Sequence, residues 1–238
     1  MFIRKKEKRF KKRIAVGGMI RGCGVSFVCQ ALAYGLLAEN RGPVNVAELG
    51  IPHFYTAFEL DSRPLGGPFE SFSEVMRSMR AVSSVRNELF GINWLARRPR
   101  EKALDAAETI RAVNSMPEGS TLFDCSGMDE KLLREVMASC ELSIMVVDPR
   151  PSRLYAAYDM LGSFRLERPD GMLLVNAFNP GVHRAELSAF LGTDSWEQLP
   201  ALPFEYFCRA EYSCSPLPEQ KKAARMLEQP VKAIIDRF

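Results

Sequence analysis

Apolar positions in this chain fall into short continuous runs, separated by longer stretches in which they recur at helical spacing. Arg13–Val16 is a compact apolar run ending in Gly17-Gly18, which predicts a buried strand entering a tight turn. Behind Gly22-Cys23-Gly24, the stretch Val25–Glu39 sets Val28, Ala31, Leu32 and Leu36 on one helical face, and Asn40-Arg41-Gly42-Pro43 stops it. Further strands are predicted at Val44–Leu49, Glu88–Leu95, Ser120–Asp124, Leu142–Val147 and Met172–Asn176. Helices are predicted at Phe69–Met79, Glu101–Val113, Glu130–Ala138, Ser152–Leu161, His183–Leu191 and Glu219–Arg237, the last with a kink at Pro230. Continuously apolar strands alternating with helices of this length indicate an α/β fold: a mostly parallel sheet with helices on both faces, in one domain spanning 13–238. Arg63–Pro68 is its expected flexible loop.

Charge separates the first residues from this body. Residues 1–13 hold eight Lys or Arg against Glu7, so within the net charge of +3 the rest of the chain sums to −4. The reading is a basic, disordered tail over 1–12 on a mildly acidic domain. The tail lacks the apolar core of a secretory signal, and no run approaches the ~18 apolar residues of a membrane span. Apolar residues at 47% of 238 support an ordinary core. Without export, the six cysteines are expected to be reduced thiols. With only His53 and His183 beside them, no zinc-ligand spacing occurs.

In an open parallel sheet, ligands sit beyond the carboxyl ends of the strands, and the richest such end here is Gly17–Ser26. Glycines between strand and helix let backbone N–H groups approach a phosphate at the helix N-terminus. The same segment can also be a plain glycine-rich turn. Arg21 within it could pair with phosphate through its planar fork, or be a solvated surface arginine.

The order of motifs resembles the ParA/MinD branch of P-loop NTPases, the deviant Walker A (SIMIBI-type) ATPases that position chromosomes, division sites, pili and capsule machinery. That family's K-G-G-V-G-K-[ST]-T loop is similar to Arg21-Gly22-Cys23-Gly24-Val25-Ser26-Phe27. Its acidic D-x-D resembles Glu48-Leu49-Gly50, and its D-x-x-G switch resembles Asp124-Cys125-Ser126-Gly127. Ile144–Pro149, Val175-Asn176 and Leu202-Pro203 follow in the family's order, so the resemblance spans almost the whole domain.

The departures fall on the charged positions. The Walker lysine aligns with Val25, the signature lysine with Ile20 (or Arg21 after a one-residue deletion), and the water-orienting aspartate with Gly50. Phosphoryl transfer depends on positioning and charge stabilisation, so these losses imply impaired or absent hydrolysis. The resemblance leaves Ser26 to hold magnesium, Asp124 to support that ion, and Asn176 to bond an adenine, so ATP or ADP with magnesium is the implied cofactor. Each also has a structural reading: Ser26 as a first-turn residue, Asp124 as a strand-end cap and Asn176 as a turn residue.

No G-x-S-x-G elbow occurs, and Cys125 has no histidine placed by sequence to activate it. Phe54, Tyr55, Phe58, Phe69 and Phe72 form an aromatic cluster without interleaved basic residues, which suits a core or a partner surface better than base stacking. The leading expectation is a degenerate P-loop protein, an adaptor or regulator in a bacterial-type positioning or assembly system, with a protein partner and a homodimer among its assemblies. One alternative is an active ATPase using Arg21 in place of the lysine. Another is a nucleic-acid-associated partition protein binding through the tail. The expected location is the cytoplasm, where the tail's cations, with Met1, Phe2, Ile3 and Phe10, could also hold the inner membrane face.

Overall fold

The computed structural model describes residues 11–65 and 67–238. Residues 1–10, and with them the expectations for most of the basic tail, lie outside the described residues. Eight strands form one sheet: β1 (Lys11–Gly18), β2 (Val44–Glu48), β3 (Glu88–Leu89), β4 (Ile92–Leu95), β5 (Gly119–Asp124), β6 (Leu142–Val147), β7 (Met172–Phe178) and β8 (Glu197–Pro200). Their order is β3-β4-β2-β5-β1-β6-β7-β8, parallel throughout except for the β3–β4 pair. β2 and β5 are buried along their whole length, as strands covered on both faces must be.

The described helices are α1 (Val25–Ala38), α2 (Phe54–Ala57), α3 (Phe72–Arg77), α4 (Ala106–Asn114), α5 (Glu130–Ala138), α6 (Pro151–Ala156), α7 (Tyr158–Glu167), α8 (Arg184–Leu191), α9 (Phe204–Tyr212) and α10 (Lys221–Ile235). The sheet divides the interior into two cores. On one face α1, α9 and α10 cover Ile14, Val46, Leu122 and Val146, joined by Phe54 of α2. On the other, α3 to α8 cover Ala15, Ala47, Phe123 and Val147. None of the described helices is long and apolar enough to cross a membrane.

The α/β architecture expected from the sequence is the one observed, with α5 and β6 matching residue for residue. Four local readings change, and in one of them the helix expected over Glu101–Val113 begins only at Ala106, where the Asp105–Glu108 capping box starts it. Glu88–Leu95 is a hairpin rather than one strand, because Phe90 and Gly91 both take left-handed φ (55° and 76°), as a two-residue hairpin turn requires. The helix expected over 152–161 is two helices, broken where Ala157 leaves helical geometry at φ −111°, ψ 13°. β1 begins at Lys11, so Lys11 and Lys12, read as tail, belong to the strand. β8 and α9 were not foreseen; β8 has only four residues, and Leu199 is its single fully buried position.

Candidate functional site

The carboxyl ends of β1, β2 and β5 open on a cleft of about 580 Å³, within the roughly 300–1,000 Å³ usual for small-molecule sites. Arg21, Gly22, Gly24, Val25, Ser26 and Phe27 form one wall and Cys125–Met128 another, while Phe207 and Glu211 of α9 close the side. The sequence-predicted loop is therefore at the cleft. Gly24 is the N-cap of α1 at φ 98°, and a Cβ there would run into Asn176 Nδ2. Both conformation and space demand glycine. The first turn of α1 carries no acidic residue, so its leading N–H groups, which a helix leaves without internal partners, keep a partial positive charge at the loop.

The loop's side chains are mostly apolar or already engaged. Val25 is buried and packs into the core with Val28 and Leu32. The Cys23 thiol is buried too; burial raises its pKa, so it stays protonated and unreactive. Asn176 Nδ2 donates to the Cys23 carbonyl at 2.9 Å, so that amide braces the loop. Arg21 is exposed, and its carbonyl accepts Arg153 Nη2 at 2.6 Å. Arg153, held in turn by Asp148 at 3.2 Å, is a loop contact the sequence did not reveal, because only the crossover to β6 brings α6 beside β1.

Two carboxylates lie behind this wall. Asp124 and Glu48 are register partners at the ends of β5 and β2, both fully buried. Asp124 Oδ1 accepts the Ser126 N–H at 2.9 Å, and Oδ2 makes no hydrogen bond of good geometry. Burial raises the Asp124 pKa, while the neighbouring Ser26 hydroxyl opposes the rise. Ser26 and Asp124, proposed together from sequence, are thus adjacent. Glu48 Oε1 accepts the His53 and Phe54 N–H groups, each at 2.6 Å, and Oε2 accepts the Arg97 N–H at 2.8 Å. It caps α2, whose N-cap residue His53 offers no side-chain bond.

Gly50, where the resemblance puts a water-orienting aspartate, is pressed onto the other loop. Leu49 and Gly50 both donate to the Asp124 carbonyl at 3.0 Å, and Ile51 donates to that of Ser126 at 2.8 Å. A Cβ at position 50 would lie 2.7 Å from Ser126 N and nearer still to its carbonyl oxygen. No side chain fits there.

No protein-family model and no curated protein matches the sequence; solved structures do. A ParA family ATPase from Chlorobium tepidum TLS superimposes with a TM-score of 0.74 at 12% identity, covering 95% of this chain and 98% of that one. The fold is that of the ParA and MinD ATPases. MinD in the MinC:MinD cell division complex of Aquifex aeolicus gives 0.74 at 13% identity, with 94% and 96% covered. The Pyrococcus horikoshii septum site-determining protein MinD, solved with Mg-ADP, gives 0.66 at 14% identity, again with 94% and 96% covered. The ParA/MinD resemblance read from ordered motifs thus holds at the level of the whole fold.

Burial pushes the Glu48 carboxyl up from 4.5 to about 7, against the N–H groups of Phe54, Arg97 and His53 and with the help of Asp124. Between about pH 4.5 and 7 the folded protein therefore keeps a proton that the unfolded chain has released. Stability is fully present below the lower value and is lost as pH rises through the upper one, and the Asp124 shift has the same sign. Urea unfolding at a series of pH values is expected to show stability falling from about pH 5 to 7.5, with a visibly flatter profile for Glu48→Gln. Parallel profiles would show that Glu48 does not carry the shift.

Proposed function

We propose that this chain is a degenerate P-loop protein of the ParA/MinD fold. It binds nucleotide weakly, does not hydrolyse it, and acts as an adaptor or regulator for a protein partner in a positioning or assembly system. The observation that carries this reading is Gly50, whose contact with the Ser126 backbone leaves no volume for a catalytic side chain. Val25 adds to it: a neutral, buried side chain offers nothing to the charge that phosphoryl transfer develops.

What remains of the cleft suits a weakly held phosphate. The α1 N-terminus supplies N–H groups, and Ser26 with the Asp124 Oδ2 that lacks a good hydrogen bond would hold magnesium, which neutralises phosphate charge when bound. Val25 offers such a ligand no polar contact, since it fills the core, while Asn176 spends its Nδ2 on the loop and keeps its Oδ1 for a base.

The purified protein is expected to release no phosphate from ATP above a Ser26→Ala control, while millimolar Mg-ATP raises its melting temperature by mass action. Turnover near ~1 s⁻¹, the low end for ordinary enzymes, would overturn the non-hydrolysing reading. An unchanged melting temperature would remove the nucleotide from it.

A further inference from the structure

The loop after β2 is tied down from more directions than its backbone bonds require, and the ties converge on Arg97. This residue lies two positions past β4 and is 2% exposed. Its guanidinium donates to the Gly50 carbonyl at 2.7 Å through Nη1, to Ser73 Oγ at 2.9 Å through Nε, and to the Lys102 carbonyl at 3.4 Å through Nη2. Its own N–H is the one accepted by Glu48 Oε2. Four segments of chain thus meet at one residue: the end of β2, the 49–53 loop, α3 and its own 96–102 loop.

Glu48 completes the arrangement from the other end. Its carboxyl group reaches across residues 49–52 to accept the N–H groups of His53 and Phe54, so both ends of the loop are fixed by one side chain. Phe54 is itself locked, with its ring 5.0 Å from Trp94 and 5.6 Å from Phe58. On the cleft side, a Cβ at Gly127 would lie 2.9 Å from Ile51 Cγ1, so the two loops touch through side chain as well as backbone. Segments that report a ligand by ordering and disordering are drawn from the least stable parts of a fold. Here both ends of the loop and the Gly50 carbonyl are held by Glu48 and Arg97, which are themselves buried and hydrogen-bonded.

We propose that Arg97 and Glu48 form a clamp that holds residues 49–54 against residues 124–128 in a single conformation whether or not the cleft is filled. The loop then keeps its place rather than working as a ligand-operated switch. Arg97 is a positioning residue in this scheme: it acts through the Gly50 carbonyl and touches no ligand. The idea rests on the adaptor reading above but makes a separate physical claim, that the loop does not move.

Amide hydrogen exchange on the full chain tests it. In the wild type, the amides of Leu49, Gly50, Ile51, His53 and Phe54 should exchange as slowly as those of the central strand β6, and millimolar Mg-ATP should change them less than about twofold. In Arg97→Gln the same five should exchange at least about tenfold faster while β6 amides stay unchanged. Ser73→Ala, which removes one acceptor only, should give the same pattern in smaller degree and remains informative if the arginine variant does not fold. Uniform acceleration across the sheet would make Arg97 merely structural and overturn the clamp. So would a response of these amides to Mg-ATP in the wild type of about tenfold or more. ATP turnover, by contrast, would sink the non-hydrolysing reading and leave the clamp standing.

Discussion

Replacing Gly50 by aspartate is expected to cost about 3 kcal/mol or more of stability and to restore no hydrolysis, alone or combined with Val25→Lys. The added carboxylate has nowhere to go. Its Cβ would meet the Ser126 backbone rather than a flexible side chain, so relief requires separating loops joined by three backbone hydrogen bonds. The displaced charge would also arrive beside Asp124, already buried and held at a raised pKa. Urea unfolding gives the first quantity and phosphate release the second. A soluble Gly50→Asp protein of near-native stability would show that the loops can part, and the steric support for the proposed non-hydrolysing reading would fail.

A comparable loss is expected at Trp94. It is fully buried on β4, with its ring 5.0 Å from Phe54 and 4.7 Å from Phe58, and its indole N–H donates to the Leu89 carbonyl at 3.1 Å. Trp94→Ala would remove the platform on which α2 rests and leave the Leu89 carbonyl without that donor. The expected cost is about 3–5 kcal/mol, the usual range for truncating a core aromatic. Trp94→Phe should recover much of it, since a ring remains against both Phe54 and Phe58. Fluorescence of the remaining Trp196 can follow unfolding in both variants. A loss under about 1 kcal/mol for the alanine variant would mean that α2 is anchored elsewhere.

Much of this architecture could be read from the chain because its strongest elements obey one period at a time. β6 is an apolar run interrupted only by Ser143 and buried on both faces, and α5 carries Leu133, Val136 and Met137 on a single stripe. The elements that escaped are those in which local preference yields to tertiary context. β8 is stabilised by pairing with β7 more than by its own four residues, and the β3–β4 turn uses Phe90 at a φ that sequence rules reserve for Asn, Asp or Gly. At the site, the place of the glycine-rich loop at the cleft followed from the order of elements alone. The engagements of Asn176, Glu48 and Arg97 did not. Each bonds to a backbone group brought near by the strand order, from Asn176 to Cys23 across more than 150 residues, and no local pattern marks such a partner.

The sheet's two margins limit how this molecule can be joined to anything larger. On one side β3 contributes two residues; on the other β8 contributes four and finishes in Pro200, which has no N–H to give. Arg237, at the end of α10, reaches Glu197 on that outer strand at 2.8 Å. Short, capped margins of this kind offer no template for an incoming strand. Among the described residues, neither growth into a filament by backbone pairing nor the capture of an extended peptide as a ninth strand finds a long edge to build on. Recognition of this described surface then falls to the shape and charge of its side chains.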